Sequence, residues 1–428
     1  VQSLAILRPS ALIVCGFALW TISRNSLRQY RTPIFFMFAA LAIPLFQLLP
    51  LFGPFSSETP TGQIVSAVDL TVGLDSGSRP FTLAPASTLN AIFSLAVPLA
   101  VLLLGCQLTR RERTLLLPVM LVIGLFSGLW GLLQVTGGSQ NSLYLYNLTN
   151  DGAAVGLFAN RNHQATLLAC MFPLLAAYAT IGDGTAEKLK IKGWVAIAVG
   201  VFLVPLILVT GSRTGVILSI VGIAFAVVIY RRPQPSVPSK RKITSPWPQY
   251  AAVGLAVISL GAITLVMSRA QALKRFTSRA PSEELRFQIW GPIVDFATEY
   301  LPLGSGIGSF VTTYKVYEPV NLLMASHINQ VHNDFVDVYL TAGIVGIIII
   351  IMSALVAVKE GASAFKGAQQ DSQSRQLAKA GFAMFTILAA ASLTDYPVRI
   401  PSISVFFSIC IVWMFGIRCH IKEKAGTN

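Results

Sequence analysis

Eleven stretches of this chain are apolar and almost free of Asp, Glu, Lys and Arg at their centres: 10–22, 33–53, 89–106, 115–133, 164–181, 194–210, 215–230, 249–267, 341–358, 380–394 and 402–417. Each can cross a bilayer as a helix, some only when tilted. Composition excludes the alternatives. Of 428 residues, 54% are hydrophobic and 12% charged, whereas soluble domains carry about 25% charged residues. A soluble enzyme of this length is therefore excluded. Disorder is excluded by the abundance of Leu, Ile, Val and Phe. The expected fold class is an all-α polytopic membrane protein with about 11–12 transmembrane helices, leaving room for one span before Val1. The expected organisation is residues 1–267 with helices 1–8, a large outer loop over 268–333, and residues 334–428 with helices 9–11.

Charge fixes the expected orientation. The net charge of +14 comes from 32 Lys and Arg against 18 Asp and Glu. Most of the cations sit in every second gap between spans. These gaps hold Arg24, Arg28 and Arg31; Arg110, Arg111 and Arg113; Lys188, Lys190 and Lys192. They continue with Arg231, Arg232, Lys240, Arg241 and Lys242; Lys359, Lys366, Arg375 and Lys379; and Arg418, Lys422 and Lys424. The positive-inside rule makes these gaps cytoplasmic, with the C-terminus inside. Topology thus accounts for the basic balance. No zinc-finger spacing or aromatic-basic RNA motif appears, so a nucleic-acid partner is not expected. The five cysteines pair neither as a disulfide framework nor at metal-ligand spacing.

The spans lack the intramembrane ionisable groups that ion-coupled transporters use. The informative polar residues cluster instead at the outer face. A site there has no access to cytoplasmic nucleotides, so its energy must arrive within the substrate, as in a lipid diphosphate ester. Thr210-Gly-Ser-Arg-Thr-Gly215 lies at an outer hinge, where glycines permit a tight turn with exposed N–H groups and Arg213 lies at headgroup depth. The structural alternative is a snorkelling arginine. Residues 268–333 are dense in cations, among them Arg269, Lys274, Arg275, Arg279 and Arg286. Here Leu285, Ile289, Ile293 and Ala297 recur every four residues, which predicts an amphipathic helix on the membrane surface, interrupted or restarted at Gly291-Pro292. Arg286 and Trp290 lie one turn apart on it. The guanidinium is suited to phosphate oxygens, or to an ion pair or cation–π contact.

Pro302-Leu-Gly-Ser-Gly-Ile-Gly308 follows no strand of a βαβ unit and reads better as a structural turn than as a dinucleotide loop. His332 opens the ninth span. A helix N-terminus disfavours an imidazolium, which suits His332 to accept a proton. The alternative is an interfacial or capping histidine. His327 is less well placed. In Gly156-Leu-Phe-Ala-Asn-Arg-Asn-His-Gln-Ala165 the asparagines suit a helix cap, while Arg161 and His163 are supporting candidates. No D-x-D motif appears in an outer loop. Asp334 and Asp337 are an i,i+3 pair, too little for a metal site alone.

Together these motifs resemble the bacterial O-antigen ligase and O-antigen or exopolysaccharide polymerase superfamily. The resemblance rests on Gly211–Gly215, Arg286 with Trp290, Pro302–Gly308, His332-Asn-Asp and Tyr339-Leu-Thr-Ala-Gly-Ile-Val-Gly346. Arg79–Thr88 and Gly156–Ala165 resemble members from exopolysaccharide clusters. The resemblance implies a GT-C-like helical membrane glycosyltransferase of the bacterial inner membrane, with a periplasmic site and no cofactor or metal. By position, Arg213 and Arg286 would hold the donor diphosphate. His332 would activate the acceptor hydroxyl or help to bind the diphosphate. The donor would be a polyprenyl-diphosphate-linked glycan. The acceptor would be lipid A-core, a lipid-linked glycan or a protein hydroxyl, with a chain-length regulator as partner in the polymerase case. The different-class alternative is a flippase that grips the same diphosphate without catalysis.

Overall fold

The computed structural model describes residues 2–50, 60–73, 80–136, 142–147, 149–150, 152–182, 185–231, 281–323, 328–366 and 372–418. Among these residues the regular structure is helical and contains no β-strand. The helices are α1 (Gln2–Thr21), α2 (Arg24–Gln29), α3 (Arg31–Gln47), α4 (Pro60–Val72), α5 (Pro85–Gly105), α6 (Arg110–Thr136) and α7 (Arg161–Thr180). They continue with α8 (Ala186–Thr210), α9 (Arg213–Ile229), α10 (Pro281–Ala297), α11 (Phe310–Tyr317), α12 (Asp334–Phe365), α13 (Ser372–Ala391) and α14 (Pro401–Phe415). Ten of the eleven apolar stretches of the sequence fall wholly or largely on one of them, residues 51–53 lying outside the described residues, as does all of 249–267. Five, namely α1 from Leu4, α5, α6, α8 and α12, are long and apolar enough to cross a membrane; α3, α9 and α14 are shorter apolar helices. The protein is an all-α polytopic membrane protein.

The chain folds into two compact units. The first gathers Val1–Gln107, Ala280–Ala357 and Ser392–Val405; the second gathers Leu108–Arg279, Val358–Ala391 and Phe406–Asn428. In the second unit α7 is the central helix, packed by α6, α8, α9 and α13. Its side chains from His163 to Ala177 are buried without interruption, so it carries no polar face. In the first unit α5 packs against α1 and α3.

α10 differs from its expectation in two ways. It runs unbroken through Gly291 and Pro292. Its apolar face does not lie on a membrane surface: Ile289, Ile293 and Ala297 are buried with Tyr300, Phe310, Tyr314, Val331 and Leu340 in a protein core. Pro292 forfeits one backbone hydrogen bond. Burial of several large apolar side chains, each worth about 1.5–3 kcal/mol, outweighs that loss.

The glycine loop 302–308 has a definite structural task. α12 is broken at Gly343, whose φ and ψ are 60° and −152°. The break leaves helical backbone groups without helical partners, and the loop supplies them. Ser305 N–H donates to the Leu340 carbonyl (2.8 Å), Gly306 N–H to the Thr341 carbonyl (3.0 Å), and Ile344 N–H to the Pro302 carbonyl (2.9 Å). Buried Gln47 locks the junction. Its Nε2 donates to the carbonyls of Leu303 and Thr341, and its Oε1 accepts from Ile307 N–H. Thr88 Oγ1 adds a bond to the Ile307 carbonyl (2.8 Å). In an apolar surrounding every such group needs a protein partner, which explains why a loop is packed into a helix here.

Two glycines of the first unit test this account in opposite directions. A methyl group on Gly343 would meet the Pro302 oxygen at 2.2 Å, whereas one on Gly291 would meet nothing within 4 Å. Gly343→Ala should destabilise the protein by about 2 kcal/mol or more. Gly291→Ala should stabilise α10 by about 0.5–1 kcal/mol. Unfolding midpoints in detergent micelles check both; equal shifts for the two variants would contradict the account.

Candidate functional site

In the first unit His332 stands half-buried just before α12. Among the described residues His332 is the one non-glycine with a positive φ, 54°. A left-handed non-glycine residue costs about 1–3 kcal/mol and persists where its surroundings dictate it. Those surroundings are visible on both sides. Trp290 of α10 donates its indole N–H to the Val331 carbonyl (3.0 Å), pinning the backbone just before His332. Asn333, just after it, caps α12: its Oδ1 accepts from the N–H groups of Phe335 (3.0 Å) and Val336 (3.2 Å). His332 therefore sits before the cap, not in the helix.

The imidazole faces a carboxylate. His332 Nδ1 lies 3.2 Å from Asp395 Oδ1. The Asp395 side chain is 4% exposed and that of His332 is 16% exposed. Asp395 Oδ1 also accepts the Tyr396 N–H (3.0 Å), and the Tyr396 ring stands 5.2 Å from the imidazole centroid. The turn carrying Asp395 is tied to α12, because Asp334 N–H donates to the Ser392 carbonyl (2.9 Å). A carboxylate at Nδ1 fixes the tautomer with its proton on Nδ1, which leaves Nε2 as an acceptor aimed away from Asp395. The i,i+3 pair Asp334 and Asp337 is occupied by Arg399, through Nε to Asp334 (2.6 Å) and through Nη2 to Asp337.

The second unit positions Arg213. α8 ends in a turn at Gly211, and Arg213 is the first residue of α9, half-buried. The turn does not offer the free N–H groups that its glycines suggested. Ser212 N–H donates to Thr210 Oγ1 (3.2 Å), and Gly215 N–H to Ser212 Oγ (3.0 Å), an N-cap. Ser212 Oγ also donates to Asn162 Oδ1 (2.8 Å). That bond joins the turn to the start of α7, which carries Arg161 and buried His163. Close approach of the two helices requires the missing side chain of Gly215, where a methyl would meet Ala165 Cβ at 2.3 Å. Asn160 caps α7 as the sequence suggests, accepting from Asn162 N–H (2.8 Å). His163 packs edge-on to Phe158.

Of the residues singled out in the sequence, the first unit brings His332 and Trp290 together, and the second brings together Arg213, Arg161 and His163. Arg286 lies on α10, but its side chain is outside the described residues, as are His327, Arg269, Lys274, Arg275 and Arg279. Among the described residues no group of three or more His, Cys, Asp or Glu side chains is placed to hold a metal ion. Sequence reasoning missed Asp395, Tyr396 and Arg399. Their signal was available: Asp395-Tyr-Pro-Val-Arg399 carries a charge at each end and is wedged between the last two apolar stretches.

The fold and site thus define a helical membrane protein with a carboxylate-oriented histidine beside its largest span. Residues 198–351 match the family model of the O-antigen ligase domain. That segment is similar to the O-antigen ligase domain, in line with the resemblance its motifs carry; it contains Arg213, Arg286, Trp290, His327 and His332, and stops short of Asp395. No curated protein matches the chain.

Trp290 tests how the site is held. Trp290→Phe keeps an aromatic ring beside Phe287 (centroids 4.9 Å apart) but removes the donor to Val331. The expected loss is about 1–2 kcal/mol of stability, read as a lower unfolding midpoint in detergent. An unchanged midpoint would mean that the indole bond does not hold the His332 segment.

Proposed function

We propose that this protein is a glycosyltransferase that moves a glycan from a polyprenyl-diphosphate donor to an acceptor hydroxyl at the periplasmic face of the bacterial inner membrane. The observation that carries this reading is the His332–Asp395 pair. With Asp395 holding the Nδ1 proton, Nε2 of His332 takes the acceptor hydroxyl proton as the oxygen attacks the anomeric carbon. The bond from that carbon to the diphosphate oxygen breaks, and the electron pair leaves with polyprenyl diphosphate. Attack opposite the leaving group inverts the anomeric centre. Arg213 and Arg286 are assigned to the diphosphate, where two guanidiniums offset the charge that grows as the bond breaks. On this reading the chemistry needs no metal.

Electrostatics supports the base role for His332 over diphosphate binding. Among the described residues, its immediate segment carries three carboxylates, Asp334, Asp337 and Asp395, and the guanidinium of Arg399 that engages the first two. That local balance favours a neutral acceptor hydroxyl at the imidazole and leaves the diphosphate to the guanidiniums of Arg213 and Arg286. The acceptor is therefore assigned to the His332 side. The spacing of basic residues along the chain supports a cytoplasmic C-terminus and an outward-facing site. Whether the product is a ligated or a polymerised glycan depends on the acceptor, and the exopolysaccharide-like segments favour polymerisation.

Asparagine tolerates a left-handed backbone, so His332→Asn removes the base with little disturbance of the fold. In a reconstituted assay with lipid-linked glycan and acceptor, His332→Asn and Arg213→Ala should each lower transfer by about 100-fold or more. Asp395→Asn should lower it by about 10–100-fold. Full transfer by His332→Asn would end the proposal.

A further inference from the structure

The turn that carries Asp395 is anchored at both ends. At its start the Ser392 carbonyl accepts from Asp334 N–H (2.9 Å). At its end Arg399 reaches back to the first turn of α12, donating to Asp334 Oδ1 through Nε (2.6 Å) and to Asp337 Oδ2 through Nη2. Asp334 and Asp337 stand on one helical face because they are three residues apart. A planar guanidinium can span the two, whereas an ammonium is a point charge. The pair is well shielded, with side-chain exposures of 16% for Asp334 and 6% for Asp337, against 36% for Arg399.

A guanidinium engaged by two carboxylates is poorly placed to hold a phosphate, so Arg399 is not read as a third donor arginine. Its geometry has another consequence. Asp395 lies between the two anchors, and its Oδ1 is shared by His332 Nδ1 and the Tyr396 N–H. The direction of His332 Nε2 therefore depends on where the 392–400 turn is docked. We propose that Arg399 is a positioning residue: by clamping this turn onto Asp334 and Asp337, it sets Asp395 against His332 and so aims the imidazole at the acceptor. The proposal rests on the reading of His332 as the proton acceptor.

The test uses full-length protein in vesicles, with lipid-diphosphate glycan as donor. Arg399→Ala should lower kcat by about 10–100-fold while donor KM stays within about twofold, because a misaimed base slows chemistry without weakening donor binding. Arg399→Lys, which keeps the charge but not the fork, should fall between. Asp395→Ala/Arg399→Ala should be no slower than Asp395→Ala alone, since both act through one imidazole. Wild-type kcat in Arg399→Ala, or losses that multiply in the double variant, would overturn the proposal. If Arg399→Ala does not fold, Arg399→Lys and its double variant with Asp395→Ala make the same comparison. His332→Asn separates the two ideas. If it is inactive while Arg399→Ala is fully active, only the clamp falls; if it is active, the base assignment falls.

Discussion

The first unit depends on a helix that is broken and repaired. At Gly343 the backbone of α12 leaves helical geometry, and the freed groups of Leu340, Thr341 and Ile344 are bonded by the 302–306 loop. Within an apolar phase such groups cannot be left unmet. The loop and the helix are therefore one construction, with Gln47 and Thr88 bracing it from α3 and α5. The repaired break lies about two and a half turns from the start of α12. It thereby fixes the end of the helix where Asn333 caps and His332 stands in its left-handed conformation.

From that rigid base the candidate site is assembled by contacts between segments far apart in the chain. Trp290 holds Val331 across 41 residues, and Asp395 meets His332 across 63. Each contact is a single hydrogen bond of modest net worth, about 0.5–1.5 kcal/mol. Together they restrain the backbone before His332, the helix after it and the imidazole itself. Strain at one residue, held by independent neighbours, is the arrangement expected of a functional side chain rather than of a packing one. The second unit follows the same pattern at Arg213, where Ser212 both caps α9 and bonds Asn162 at the head of α7.

The helical class was legible because its cause is local: a run of apolar residues without charge carries the signal by itself. The Asn160 cap and the buried face of Ile289, Ile293 and Ala297 were legible for the same reason, since both follow from spacing along one helix. What covers that face was not legible. The sequence pattern is identical whether Ile293 meets lipid or Tyr314, and only tertiary packing decides. The continuity of α10 through Pro292 was missed because proline's local cost was weighed without the packing that exceeds it. His332 could be named from its place before a span, but Asp395 could not, because pairing across a long separation leaves no periodicity. Likewise, Asp334 and Asp337 were visible as a pair, but their Arg399 partner was not.

On the proposed reading, a carboxylate-oriented imidazole makes this protein a transferase rather than a carrier of lipid-linked glycan. The most direct measurement is product identification. Purified protein in vesicles is given isotopically labelled polyprenyl-diphosphate glycan and a hydroxyl acceptor, and the products are resolved by mass and anomeric configuration. The account predicts a new glycosidic bond on the acceptor, inverted at the anomeric carbon, with one polyprenyl diphosphate released per bond. Glycan that crosses the bilayer still joined to its lipid diphosphate, with the acceptor unchanged, would contradict it.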